Sequence, residues 1–171
     1  MKVLVVVDMQ NDFIDGALGT KEAVAIVPAV KKEIEDFDGT VLFTRDTHSE
    51  DYMETQEGRN LPVPHCIKGT FGWEIRKELD DLRKTEAIDK VTFGSSELPE
   101  VLKKLDSDEK IESITFAGLC TDICVISNVM ITKAFFPEVP LYVVKDCCAG
   151  VSVGTHENAL KAMQVCQVTV I

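Results

Sequence analysis

A chain of 171 residues can bury about two-thirds of its unfolded surface and build a core without staples, so a single domain spanning 1–171 is expected. Its 18 basic and 29 acidic residues give a formal charge of −11, which disfavours nucleic acid and anionic membranes as partners and suits small-molecule chemistry. The six cysteines (Cys66, Cys120, Cys124, Cys147, Cys148 and Cys166) lack the density and C-x-x-C pairing of a disulfide or zinc scaffold, so they read as reduced thiols.

The first apolar run, Val3 to Val7, is interrupted by Asp8 and is too short for a signal peptide or a membrane span. A cytoplasmic protein is expected. Lys2 to Val7, continuous in Val and Leu, has the pattern of a strand buried on both faces, and an acid stands at its end before the polar loop Gln10-Asn11-Asp12. A helix is predicted within Ala23 to Phe37, with Pro28 tolerated only near its first turn, followed by strand two over Thr40 to Thr44.

Arg45 to Thr70 is polar and weakly periodic, and unstructured segments of that length inside compact domains are usually functional. A short helix is predicted over Gly72 to Leu82, a weak third strand over Glu86 to Lys90, and a helix over Leu98 to Leu105. Ile111 to Ala117 reads as strand four, Leu141 to Lys145 as strand five, Thr155 to Gln164 as a helix and Val168 to Ile171 as strand six. Alternating strands and helices imply a doubly wound α/β fold, a parallel six-stranded sheet with helices on both faces. In the common order 3-2-1-4-5-6, strands one and four meet where the winding reverses, and ligands bind beyond their carboxyl ends. No G-x-G-x-x-G follows strand one, which argues against a dinucleotide.

That crevice would receive Asp8 and the segment Phe116 to Val125, which carries Cys124 in the first turn of the following helix. With Thr121 or Asp122 as cap, unpaired N–H groups and the helix dipole would favour a thiolate and a nearby oxyanion. A thiolate also needs a cation and a proton carrier; Asp8 can supply the second and Lys90, at the end of strand three, the first. Asp46-x-His48 and His65 form another constellation. Side chains two apart on a strand share a side, so a carboxylate and two imidazoles can converge on zinc, iron or manganese, with Glu57 as a less secure fourth ligand. His156, opening a late helix, reads as a surface or capping residue.

Together, Val5 to Phe13 around Asp8, Thr44-Arg45-Asp46-Thr47-His48, Pro64 to Thr70 around His65, Asp89-Lys90 and Gly118 to Val125 resemble the isochorismatase-like cysteine hydrolases, and among them the nicotinamidases. The resemblance runs over essentially the full length. It implies an Asp8-Lys90-Cys124 triad, a divalent ion on Asp46, His48, His65 and less surely Glu57, and a cis peptide joining Leu119 to Cys120. It further implies an oxyanion site at the backbone N–H groups of Cys120 and Cys124, and a substrate ring against Phe13. The implied reaction is hydrolysis of nicotinamide to nicotinate and ammonia through a Cys124 thioester, in NAD salvage, by an enzyme that is often a homo-oligomer. Leu61-Pro62-Val63-Pro64 lacks the tryptophan many nicotinamidases carry just before the proline preceding the third ligand, and Cys120 replaces a frequent alanine. Two other readings stay open: hydrolysis of a different carboxamide or ureido compound, and a non-catalytic metal-binding, partner-binding or thiol redox-sensing protein using Cys120 and Cys124. The apolar stretch Ile126 to Phe136 fits either an interface or the core.

Overall fold

The computed structural model describes residues 1–171. Its sheet contains β1 (Lys2–Val7), β2 (Thr40–Asp46), β3 (Ile88–Lys90), β4 (Ser113–Leu119), β5 (Leu141–Ala149) and β6 (Thr169–Val170), all parallel, in the order β3-β2-β1-β4-β5-β6. This is the expected doubly wound sheet and strand order. Strand β1 lies at its centre, and Val3 to Val7 are each fully buried. The period-two alternation of a strand sends Val3, Val5 and Val7 into one core layer and Leu4 and Val6 into the other.

The helices are α1 (Asn11–Ile14), α2 (Lys21–Asp36), α3 (Gln56–Asn60), α4 (Lys77–Asp80), α5 (Leu98–Asp108), α6 (Ile126–Phe135) and α7 (Val153–Val165). Helix α2 covers the Leu4 and Val6 face with Ala23, Ile26, Val27, Val30 and Ile34, whereas α5, α6 and α7 cover the other with Leu98, Leu102, Val129, Leu160 and Met163. The stretch Ile126 to Phe136 is therefore divided, with Val129 and Thr132 buried and Phe135 exposed. No helix is long and apolar enough to cross a membrane.

Three local expectations are corrected. Pro28 lies in the middle of α2, which starts earlier than predicted because Thr20 caps it, its hydroxyl accepting from the Ala23 N–H at 3.0 Å. Proline there leaves the Val24 carbonyl without its usual donor, but Val24 is exposed, and the buried face of α2 outweighs the loss. The helix predicted over Gly72 to Leu82 shrinks to α4, because the chain before it pairs elsewhere. Asn11 N–H donates to Glu74 O, Asp12 N–H to Gly72 O and Arg76 N–H to Met9 O. The segment Arg45 to Thr70 also contains order of its own: a 3-10 turn at Tyr52–Glu54, and α3, whose cap is Thr55.

Strands β2 and β4 run two residues further than predicted, and β5 four, which carries the site-bearing ends deeper into the crevice. Gly118 makes the close approach of β4 to β1 possible. It has φ +121°, and a Cβ there would lie 2.1 Å from Val7 O.

Candidate active site

Asp8 leaves the end of β1 with φ +46° and is fully buried. Thr44 at the neighbouring strand donates its hydroxyl to Asp8 Oδ1 at 2.7 Å. The β2–β3 register sets Asp46 opposite Lys90, and from there the Lys90 ammonium reaches three groups. It lies 2.6 Å from Asp8 Oδ2, 3.1 Å from Asp46 Oδ1 and 3.5 Å from Cys124 Sγ. Thr92 O accepts a further hydrogen bond from it at 3.1 Å. The three residues expected to cooperate thus meet, although 34 positions separate Lys90 from Cys124.

The turn bearing Cys124 differs from the prediction. The cis peptide between Leu119 and Cys120 is present, but Thr121–Val125 forms a π-helical turn ahead of α6, with Cys120 rather than Thr121 or Asp122 at its start. Those two side chains are committed elsewhere. Thr121 Oγ1 hydrogen-bonds His156 Nδ1 at 2.8 Å, and the Asp122 carboxylate accepts from the Val151 N–H at 3.0 Å. His156 is therefore a tie from α7 to the cysteine turn, not the surface or capping residue read from its position.

The electrostatics revise the expectation of a standing thiolate. Burial pushes the Cys124 thiol well above its ordinary range, and the Asp8 carboxylate adds to that, against the opposing pull of Lys90. Burial likewise raises Asp8, with Lys90 only partly offsetting it. For Lys90, burial disfavours the charge, but Asp8, Cys124 and Asp46 outweigh it, so the ammonium persists. Burial and the Asp8 carboxylate thus favour the thiol form of Cys124 over a standing thiolate, beside the Lys90 ammonium.

Asp46, His48, Glu57 and His65 form the second cluster, with one ligand atom from each lying within 4.8 Å of the others. All four predicted ligands come together, Glu57 included, its Oε1 3.7 Å from both His48 Nε2 and His65 Nε2. Their supports were not apparent from sequence. Gln10 clamps the Asp46 backbone, accepting from its N–H at 2.7 Å and donating to its carbonyl at 2.8 Å. His65 Nδ1 donates to Val63 O at 2.8 Å, which fixes the tautomer with Nε2 toward the cluster. The buried Tyr52 packs edge-on against both imidazoles and donates to Leu61 O. Two imidazole nitrogens and two carboxylates suit a borderline divalent ion such as zinc, iron or manganese.

Both clusters open onto a cavity of about 250 Å³ whose walls are mostly apolar. Cys124 and Cys120 lie on one side and Asp46, Glu57 and His65 on another, with Phe13, Leu61, Phe93, Ile123 and Val151 among the rest. Phe13 faces the His65 ring at 5.4 Å between centroids. Leu61 is part of the wall, whereas Val63, which stands just before Pro64 where many nicotinamidases carry the tryptophan, is not.

The isochorismatase domain model matches residues 2–171. The chain belongs to the isochorismatase family. Within that family it is 27% identical to the nicotinamidase/pyrazinamidase of Mycobacterium tuberculosis, over 100% of this chain and 98% of the relative. The pyrazinamidase of Pyrococcus horikoshii, solved in complex with zinc, superposes with a TM-score of 0.82 at 26% identity, covering 99% of this chain and 98% of that one. The N-carbamoylsarcosine amidase of Thermoplasma acidophilum does so with a TM-score of 0.77 at 28% identity, covering 99% and 94%. This member of the isochorismatase family thus resembles both a nicotinamidase/pyrazinamidase and an N-carbamoylsarcosine amidase.

Proposed function

We propose that the protein is a cysteine amidohydrolase that converts nicotinamide to nicotinate and ammonia. The observation that carries this reading is the convergence of Asp8, Lys90 and Cys124 with the Asp46, His48, Glu57 and His65 set on one small apolar cavity. A ring packed on Phe13 could present its carboxamide to Cys124 and its nitrogen to the ligand cluster. The nicotinamidase/pyrazinamidase likeness supports the substrate class.

In the proposed reaction, Cys124 Sγ attacks the carboxamide carbon while its proton passes to the Asp8 carboxylate. The raised proton affinity of Asp8 suits it to that transfer, and the Lys90 ammonium offsets the charge developing on sulfur. The backbone N–H groups of Cys120 and Cys124 receive the oxyanion. Collapse breaks the C–N bond, with Asp8 returning the proton to departing ammonia and leaving a thioester. Water then attacks that carbon as Asp8 takes its proton, and the thiol is regenerated. The sum is amide plus water to acid plus ammonia.

A divalent ion, zinc by preference, would be held by Asp46, His48, His65 and Glu57 and would supply a Lewis-acid anchor for the ring nitrogen. The ureido reading keeps the same triad and finds support in the N-carbamoylsarcosine amidase likeness, but it leaves the ligand cluster without a ring nitrogen to hold. The redox-sensing reading uses Cys120 and Cys124 alone and gives no role to the Asp46, His48, Glu57 and His65 cluster. Ammonia release by metal-loaded protein from nicotinamide, set against N-carbamoyl amino acids and other amides, tests the proposal. Turnover confined to the N-carbamoyl compounds would replace nicotinamide with the ureido reading.

A further inference from the structure

Asn128 on α6 is completely buried, one helical turn beyond Cys124, and its side-chain amide is fully engaged. Nδ2 donates to Cys124 O at 2.8 Å and to Phe93 O at 3.1 Å, while Oδ1 accepts from the Ser95 N–H at 2.9 Å. All three contacts are to backbone, and two of them fall on the loop that follows Lys90. That loop also supplies Thr92 O, which accepts from the Lys90 ammonium, and Phe93, which walls the cavity. At its far end Ser95 Oγ accepts from the Leu98 N–H and so anchors the loop to α5. A buried amide would cost free energy if any of these partners were missing. Core packing at this site needs no polar group, and Val129 beside it is an ordinary apolar core residue.

We propose that Asn128 is a positioning residue that holds the Lys90 loop and the Cys124 backbone in one frame, and thereby sets the approach of the Lys90 ammonium to the Cys124 sulfur. This inference rests on the proposed use of Cys124 as nucleophile with Lys90 as its cation. The sulfur and ammonium come from different elements; Asp8 and Asp46 hold the ammonium from the strand ends, and the loop after Lys90 is what ties it to the helix that carries the sulfur. Asn128 joins the two elements through Cys124 O on one side and Phe93 O and Ser95 N on the other, next to Thr92 O, which accepts from the Lys90 ammonium. Replacing the amide frees the loop from the helix, and the cation drifts from the sulfur.

The test uses full-length, metal-loaded protein carrying Asn128→Leu, with Asn128→Ser as the variant that lets water reach the three backbone groups should the leucine protein fail to fold. Circular dichroism establishes folding at the assay temperature. The rate at which a small neutral alkylating agent modifies Cys124 at fixed pH is followed by peptide mass spectrometry, in the Lys90 and Lys90→Ala backgrounds. In the Lys90 background the folded Asn128 variant should react at least about tenfold more slowly, and its kcat for nicotinamide should fall by about 10²-fold, the scale of a small misplacement of reacting groups. In the Lys90→Ala background the same substitution should change alkylation less than about twofold, since a residue acting through Lys90 has nothing left to position. Unchanged or faster alkylation, or equal slowing in both backgrounds, overturns the proposal. If wild-type protein hydrolyses no nicotinamide, the proposed substrate fails while the alkylation comparison still decides the role of Asn128.

Discussion

Lys90 Nζ and Asp8 Oδ2 lie 2.6 Å apart with side chains 1% and 0% exposed, a charge pair shut away from water at the end of the central strand. Such a pair earns little net stability, because desolvation consumes most of the Coulomb attraction, but removing one partner leaves the other buried and uncompensated. Asp8→Asn should therefore lose both proton transfer and about 3–5 kcal/mol of stability. Steady-state kinetics and denaturant unfolding separate the two effects; wild-type turnover in a folded Asp8→Asn protein would remove Asp8 from the reaction.

Cys124→Ala should retain the fold and lose amide hydrolysis, because no other nucleophile in the triad can form the bond. Cys120→Ala should keep most activity, since the proposed contribution of Cys120 is its backbone N–H. Rapid quenching of wild type with nicotinamide should reveal an acyl adduct on the Cys124 peptide by mass spectrometry. Hydrolysis by Cys124→Ala would exclude the thioester route.

The resting thiol has a consequence for pH dependence. Burial and Asp8 raise Cys124, so at neutral pH its proton is bound, and alkylation in the absence of substrate should climb through the alkaline range rather than level off near neutrality. Lys90 favours the charged sulfur, so Lys90→Ala should move that climb to still higher pH. A plateau at neutral pH would show a standing thiolate and contradict a protonated Cys124.

Chelation, Asp46→Ala or His65→Ala should leave the fold intact and strongly reduce nicotinamide turnover. Benzamide, which lacks the ring nitrogen, should be a poor substrate and nearly indifferent to metal removal. Ammonia release from both amides by metal-loaded and metal-stripped protein decides the matter; equal losses for the two would exclude a ring anchor at Asp46, His48, Glu57 and His65.

Gly118→Ala should destabilise the protein by about 1–3 kcal/mol, the usual cost of a residue forced into an unfavoured backbone region. The φ of +121° and the approach of a new Cβ to within 2.1 Å of Val7 O both act against it, and backbone cannot swing aside. Thermal unfolding measures the loss, and an unchanged midpoint would show that β1 and β4 can separate at little cost.

The sequence by itself determined the alternation of strands and helices, because an apolar run such as Val3 to Val7 can be satisfied only between two covering layers. It also offered Asp8, Lys90 and Cys124, and Asp46, His48 and His65, as candidates, from residue types at strand ends, in a helix-start turn and on one polar loop, and from the resemblance to a known family. Only the tertiary structure decided how the connections run. Residues 72–76 pair with the chain around Met9 to Asp12 instead of extending a helix, and Thr121 and Asp122 bond to α7 and its loop instead of capping the cysteine turn. The positions of Gln10, Tyr52, His156 and Asn128 were hidden for the same reason. Each acts through a hydrogen bond or ring contact to a residue distant along the chain or to a neighbouring element, and local pattern carries no record of that partner. The protonation of Cys124 was also beyond the sequence, because it depends on how completely the fold excludes water around the sulfur and on the buried carboxylate beside it.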